Sequence, residues 1–217
     1  MRLLGAHPST IAFGKPLVPP FAVDVRDDAV AYASGGDVVV RDRAGERAAP
    51  QRCVGHPVSL LYTGSAIVYA DGGTVGGMTR DLRDAWCVAR PAPEEPFRSP
   101  PAILAFGART VLLVYGGATA VYVADERGRM ETLSVPQALT GNAAPDASGG
   151  AWLIVADDLR NRRFGVCRMH VRAELRCFAL PLASGGPVVA ARDGSLWVSS
   201  EFEHTYAVLL PPPELRS

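Results

Sequence analysis

The chain has 217 residues, and its 48% hydrophobic and 20% charged residues are typical of a globular protein rather than a disordered one. Its 22 basic and 22 acidic side chains give a formal net charge of +0, so no basic field is available to attract nucleic acid. No apolar run approaches the roughly 18 residues that a membrane-spanning helix needs. No signal peptide is visible between Met1 and Pro20.

A repeated pattern runs along the chain: an apolar β-rich run, a Gly turn, a second β-rich run, then charged residues and another turn. Its markers are separated by 37, 46, 40 and 43 residues, and they are Tyr32, Tyr69, Tyr115, Val155 and Val198. A period near 40 that contains several short strands is typical of a β-propeller, whereas helical repeats would show a spacing of 3.6. The sequence therefore predicts an all-β repeat protein.

Each repeat is expected to form one sheet of up to four strands. The runs are short, β-branched or aromatic, and bounded by Gly, Pro, Asp and Asn, and no segment shows a convincing helix. The predicted blades span residues 21–53, 58–89, 102–135, 143–181 and 187–210.

The last predicted blade is one strand short, while a spare strand, Ser9–Phe13, lies before the first blade. A propeller that does not close its ring leaves exposed strand edges. The simplest closure has the N-terminal strand complete the last blade. We therefore expect residues 1–217 to form a single domain, a five-bladed β-propeller closed in this way.

Two turns sharpen this prediction. The segments Asp146-Ala-Ser-Gly-Gly-Ala-Trp152 and Asp193-Gly-Ser-Leu-Trp197 resemble the Asp-x-x-Gly-x-Leu-Trp-Val turn of NHL-type and two-component-regulator-type propeller blades. In such a turn Asp caps the connection between the first two strands, Gly takes a positive φ, and Trp packs between neighbouring blades. The resemblance implies a fold and no particular ligand.

Four cysteines bear on the compartment. Cys167 and Cys177 flank a predicted hairpin turn, which would place their Cβ atoms roughly 4.5–5.5 Å apart across the strands. They form either a disulfide, which indicates an exported or periplasmic protein, or two buried thiols, which fit the cytoplasm. Cys53 and Cys87 fall in the outer strands of successive blades and are not expected to meet. No Cys-x-x-Cys indicates a structural zinc site.

No motif indicates catalysis. The chain lacks His-x-x-x-His, Gly-x-Ser-x-Gly and Gly-Lys-Ser/Thr, so no catalytic residue, metal or cofactor is predicted and the chain is expected not to be an enzyme. A hydrolase or lyase is the less favoured hypothesis. It would be centred on Asp24, the acidic residue best placed on an inner strand, although a glycosidase needs a second carboxylate close by.

Three longer loops, residues 90–101, 136–145 and 157–163, are expected to neighbour one another on one face. Long loops on a rigid scaffold often carry binding residues, although these loops could equally be solvated. The leading hypothesis is a non-catalytic binding or scaffold module for a protein partner. The alternative is a lectin-like binder of carbohydrate or another small ligand. The candidate binding residues are Phe97, Arg98, Asn142, Asp157, Asp158, Arg160, Asn161, Arg162, Arg163 and Phe164.

Overall fold

The computed structural model contains only antiparallel strands, turns and bends in the residues that it describes. Within that part of the chain, no helix is long and apolar enough to cross a membrane. The chain divides into two compact units, residues 1–92 with 126–129 and residues 93–125 with 130–217. The described residues are 2–3, 9–10, 20–24, 27–51, 53–83, 86–89, 101–158, 163–170, 175–181, 185–191, 193–200 and 205–211.

The first unit contains a two-stranded ribbon and two four-stranded sheets. In each four-stranded sheet the strands pair in the order in which they follow along the chain. The ribbon strands are β1 (Arg2–Leu3) and β2 (Ser9–Thr10). The first sheet is β3 (Phe21–Asp24), β4 (Ala29–Ser34), β5 (Asp37–Asp42) and β6 (Gly45–Pro50). The second is β7 (Ser59–Tyr62), β8 (Ala66–Ala70), β9 (Thr74–Thr79) and β10 (Trp86–Ala89).

The second unit contains three sheets with the same sequential order. The third sheet is β11 (Ala102–Phe106), β12 (Thr110–Val114), β13 (Ala120–Asp125) and β14 (Met130–Ser134). The fourth is β15 (Ala138–Pro145), β16 (Ala151–Asp158), β17 (Arg163–Met169) and β18 (Leu175–Ala179). The last is β19 (Val188–Ala190), β20 (Leu196–Ser200) and β21 (Thr205–Leu209).

The extent of burial explains why some strands are apolar throughout and others contain polar residues. The second strand of the second sheet, Ala66–Ala70, is buried at every position, and continuous burial requires an unbroken apolar run. The outermost strand of the fourth sheet, Leu175–Ala179, keeps three of its five residues exposed. The core therefore lies along the inner strands, and the outer strands face solvent.

The predicted strands match the observed ones closely, with one clear correction. Residues 136–145 were expected to be a loop that leads into the fourth blade at residue 143, but the first strand of that sheet already begins at Ala138 and runs to Pro145. The prediction was wrong because Gly141 and Asn142 are turn-favouring residues, while here they sit in a bulge that interrupts the strand pairing between Leu139 and Ala143.

The expected closing strand is not among the pairings of the described residues. Ser9–Thr10 pairs with Arg2–Leu3, and the last sheet has three strands. Residues 11–13 of the predicted strand lie outside the described residues. The five-bladed ring closed by the N-terminus therefore stays a prediction.

Candidate binding site on the fourth sheet

The hairpin of β16 and β17 contains long strands. β15 and β16 each have eight residues and β17 has seven, whereas the other strands of the described chain have six at most. Beyond a second register shift at Ala156, the backbone of Asp158 pairs with that of Arg163. Residues 157–163, which join β16 to β17 at this end of the hairpin, are the densest cluster of charged residues in the sequence.

A β-bulge shapes the strand next to this hairpin. Gly141 adopts a φ of 90°, a conformation that favours glycine. The bulged strand is held from the side by the turn between β12 and β13, because Gly117 N donates to Leu139 O at 2.7 Å and Leu139 N donates to Ala118 O at 2.8 Å. Bulges bend a strand and re-aim its side chains, and they are frequent beside functional sites.

Asn142, which lies in the bulge, connects the fourth sheet to the segment before the last sheet. Its Nδ2 donates to Gly185 O at 2.8 Å. A Cβ at Gly185 would lie 2.7 Å from Phe164 Cδ1 and 2.6 Å from Ile154 Cγ2, so only glycine allows this close packing. The structure thus brings two predicted residues, Asn142 and Phe164, to one place around Gly185, which was not among the residues predicted from the sequence.

Arg163 is exposed at the start of β17, and Phe164 beside it is half-buried. Asp157 and Asp158 end β16 rather than lying in a loop, because strand pairing continues to the Asp158–Arg163 pair. The other predicted binding residues lie outside the described residues, and their role stays a prediction: Phe97, Arg98, Arg160, Asn161 and Arg162.

A buried ion pair between Arg168 and Asp146 lies at the end of the fourth sheet that is opposite to the Asp158–Arg163 pair. The Arg168 guanidinium donates to Asp146 Oδ2 at 2.7 Å from Nη2 and at 3.0 Å from Nε, and the two side chains are 3% and 9% exposed. Burial works against ionisation, but hydrogen bonds from Ser148 and Arg168 outweigh it and hold the pKa of Asp146 below its usual value. Arg168 was not predicted from the sequence, although an arginine inside the apolar run Val166–Met169 was a usable signal.

The two predicted turns differ in their surroundings. Gly149 and Gly194 both take the expected positive φ. Trp152 is buried at 4% exposure and lies edge-on to Phe178, whereas Trp197 is 45% exposed and stacks on Tyr206 at a centroid distance of 5.5 Å. The expectation that Trp197 packs between blades stays a prediction, and in the described structure its ring is exposed beside Tyr206.

Cys167 and Cys177 form a disulfide across β17 and β18. They are directly paired in the strand register, and their Cα atoms are 4.0 Å apart. Of the two alternatives that the sequence left open, the structure has the disulfide. Cys53 and Cys87 carry no disulfide in this structure.

Asp24 takes part in an ion pair in the first unit. Its carboxylate contacts the Arg80 guanidinium, which also reaches Asp27 at 2.9 Å and lies 5.5 Å from the centre of the Tyr62 ring. Burial raises the pKa of the Tyr62 hydroxyl. Within the described part of the chain, no three His, Cys, Asp or Glu side chains are grouped so as to hold a metal ion.

Comparison with known proteins adds information about the fold. No protein-family model and no curated protein sequence matches the chain. Among solved structures, virginiamycin B lyase from Staphylococcus aureus is similar with a TM-score of 0.66 and 13% identity, over 91% of this chain and 72% of the lyase chain. The extracellular domain of BT4673 from B. thetaiotaomicron matches with a TM-score of 0.59 and 11% identity, over 93% of this chain and 28% of that one.

A third similar structure is PorZ, a bacterial surface component of the type-IX secretion system of Porphyromonas gingivalis. It has a TM-score of 0.51 and 14% identity, over 84% of this chain and 27% of PorZ. Together with the sequential four-stranded antiparallel sheets, these matches show that the chain has a β-propeller fold. At such low identity they show the fold alone.

The comparisons correct one expectation. The chain was expected not to be an enzyme, but the similar structures include virginiamycin B lyase and a streptogramin B lyase, the latter with a TM-score of 0.62 and 14% identity. The expectation was wrong because it took the absence of familiar catalytic motifs as information about catalysis. One fold can host enzymes and non-enzymes alike, so the lack of a familiar motif does not exclude catalysis.

Proposed function

We propose that this protein is an exported β-propeller that binds a protein partner through the charged end of the β16–β17 hairpin, residues 157–163 with Phe164. The observation that carries the proposal is the coincidence of a long hairpin with the densest cluster of charges in the sequence. Rigid elements that end in charged residues are suited to partner recognition because little entropy is lost on binding.

Contacts next to the charged end of the hairpin support this role. They are the bulge at Gly141 in the neighbouring strand, the Asn142–Gly185 hydrogen bond and the packing of Phe164 on Gly185. Arg163 is exposed and offers a planar guanidinium that can bind a carboxylate in two-pronged fashion. We therefore expect the partner to present carboxylates beside an apolar patch that accepts Phe164.

The proposed compartment follows from the disulfide. Disulfides persist in oxidising compartments and are rare in the cytoplasm, so the Cys167–Cys177 bond supports export. Fractionation of the native host tests this directly. Recovery of the protein from the periplasm or the cell surface is expected, and recovery from the cytoplasm with four free thiols would contradict it.

The binding proposal is tested by replacing Arg160, Arg162 and Arg163 together with Ala. The variant and wild type are immobilised and exposed to native host extract, and each captured protein is quantified. A matched control replaces Arg41, Arg43 and Arg47, which lie on the exposed outer hairpin of the first sheet. We expect at least a roughly tenfold loss of binding for the first triple and none for the control, since truncating an interface arginine costs about 1 kcal/mol or more. Equal capture by both triples would rule out this face.

The stacked pair of Trp197 and Tyr206 favours a second candidate, a carbohydrate site. Both rings are exposed and nearly parallel, with an interplanar angle of 17°, which suits stacking against a sugar ring. The equivalent positions of earlier repeats have less support as sugar sites, because Tyr69 and Tyr115 are fully buried. A glycan array that shows binding by wild type and none by Trp197→Ala would establish this candidate, and an array without hits would remove it.

A further inference from the structure

A second pair of cysteines lies together in the first unit, contrary to the expectation that they would not meet. Cys53 follows β6, in the connection that leads to β7, and Cys87 lies on β10, the outermost strand of the second sheet. Cys53 packs against the buried cluster that contains Tyr69. Burial, and after it the interaction with Cys87, raises the pKa of the Cys53 thiol, which indicates that the two cysteines lie near each other. The expectation failed because β6 ends at Pro50, which frees the chain at Cys53 to turn toward the second sheet.

The strand register explains how the two cysteines come together. Cys87 pairs with Gly76, and Gly76 pairs in turn with Tyr69, so these three residues form one row across β10, β9 and β8. A Cβ at Gly76 would overlap the Tyr69 ring, which shows that the ring lies across the glycine toward Cys87. The strand register and the packing of Cys53 therefore bring both cysteines to the surroundings of Tyr69.

We propose that Cys53 and Cys87 form a second disulfide when the protein meets a low-molecular-weight disulfide such as oxidised glutathione. The bond would tie the connection after the first sheet to the outer edge of the second sheet. This inference is independent of the partner-binding proposal, since it concerns residues of the other unit.

The two cysteines have different parts in the reaction. Cys87 is exposed, so its thiolate attacks one sulfur of the oxidant, forms a mixed disulfide and releases one glutathione thiolate. Cys53 then loses its proton to solvent and attacks the Cys87 sulfur, which closes the protein disulfide and releases the second glutathione. Two protein thiols are oxidised, and one disulfide of the oxidant is reduced to two thiols.

The order of attack agrees with the surroundings of Cys53. Burial, followed by the interaction with Cys87, raises the pKa of the Cys53 thiol, so Cys53 holds little thiolate at neutral pH and is a poor first nucleophile. The half-buried position of Cys53 also restricts the approach of glutathione. Its resolving step is intramolecular, which favours attack by Cys53 over attack by a second molecule of glutathione.

Disulfide mapping of the full chain tests the proposal. The protein is equilibrated with reduced and oxidised glutathione, unfolded in an alkylating reagent and analysed by peptide mass spectrometry. We expect a Cys53–Cys87 linked peptide beside the Cys167–Cys177 one. If Cys53 and Cys87 are both alkylated while Cys167–Cys177 is linked, the proposal is overturned.

Single variants test the sequence of steps. In Cys53→Ser, we expect Cys87 to retain glutathione as a mixed disulfide, and in Cys87→Ser we expect Cys53 to stay a thiol. Mixed disulfide on Cys53 in the Cys87→Ser variant would contradict the assigned order.

Thermal unfolding measures the stabilisation by the second disulfide. In oxidising buffer the melting temperature of wild type should be about 5–10 °C above that of Cys87→Ser, and the two melting temperatures should coincide in reducing buffer.

Discussion

The outer hairpins of the first and fourth sheets occupy the same place in their repeats but are held in different ways. In the first sheet, β5 and β6 are joined by exposed ion pairs, Arg41–Glu46 at 3.4 Å and Arg47–Asp42 at 2.9 Å. In the fourth sheet, a disulfide crosses β17 and β18, and Arg168 on β17 is buried against Asp146. Exposed pairs contribute little to stability, whereas breaking a buried pair costs several kcal/mol.

This difference teaches that one strand pattern can be held together by different interactions. The fourth sheet, which carries the proposed binding hairpin, is stabilised at one end by the buried ion pair and at the other by the bulge and Asn142. The outer strands of the first sheet are joined by ion pairs that lie on the surface. Removing the braces of the fourth sheet one at a time should therefore destabilise the protein by amounts that depend on how deeply each brace is buried.

Replacing Arg168 with Met should cause the largest loss. The Asp146 carboxylate would remain buried without its partner, and the free energy of unfolding should fall by about 3–5 kcal/mol. The matched control is Arg41→Met, where the exposed pair contributes roughly 0–1 kcal/mol. Urea unfolding followed by tryptophan fluorescence measures both. Equal losses of stability in the two variants would contradict the contrast between the sheets.

Removing the disulfide with Cys167→Ala and Cys177→Ala together should lower the free energy of unfolding by about 2–4 kcal/mol, because the unfolded chain gains freedom. Urea unfolding in oxidising and in reducing buffer measures the effect. Adding reductant should lower the free energy of unfolding of wild type more than that of the double variant. A double variant as stable as oxidised wild type would show that the disulfide does not brace this hairpin.

Low pH should weaken the ion pair between Asp146 and Arg168. Its pKa is lower in the folded protein than in the unfolded chain, so its contribution is complete above the unfolded value of about 3.9 and is lost as pH falls through the folded value. Asp146→Asn should therefore be less stable than wild type near pH 7, and the gap should narrow below about pH 4. Unfolding curves over this pH range provide the measurement. A constant gap would argue against an ionised Asp146.

The smallest effect is expected for Asn142→Ala. It removes the hydrogen bond to Gly185 O and should cost about 0.5–1.5 kcal/mol. Hydrogen exchange should show faster opening around the bulge, with the amides of β12 and β13 unchanged. Uniform loss of protection through the whole unit would contradict a local role for Asn142.

Local sequence pattern was enough for most of the fold, and the failures have physical causes. Alternating and buried apolar runs predicted the strands, because side-chain burial sets their period. The bulge at Gly141 resembled a loop, since turn residues look alike in either setting. The exposure of Trp197 and the proximity of Cys53 to Cys87 depend on how separate strands and connections come together, and local sequence pattern does not contain this information.

The candidate binding site stays a prediction. Charge density in the sequence indicated residues 157–163, and the structure adds the contacts of the neighbouring strands, where Asn142 donates to Gly185 O and Phe164 packs beside Gly185. Gly185 could not be recognised from sequence, because the need for a glycine there arises from close packing against Thr140, Ile154 and Phe164, which lie on three different strands. Arg168 was recognisable in principle, since a charged residue in a buried run requires a partner.

The most direct test places a photo-crosslinking amino acid at position 163 of the full-length chain in its native host. A second variant carries it at position 131, an exposed site on β14. The account predicts one abundant protein crosslinked from position 163 and absent from position 131. The same crosslinked proteins from both positions, or none from position 163, would contradict a binding site at the end of the β16–β17 hairpin.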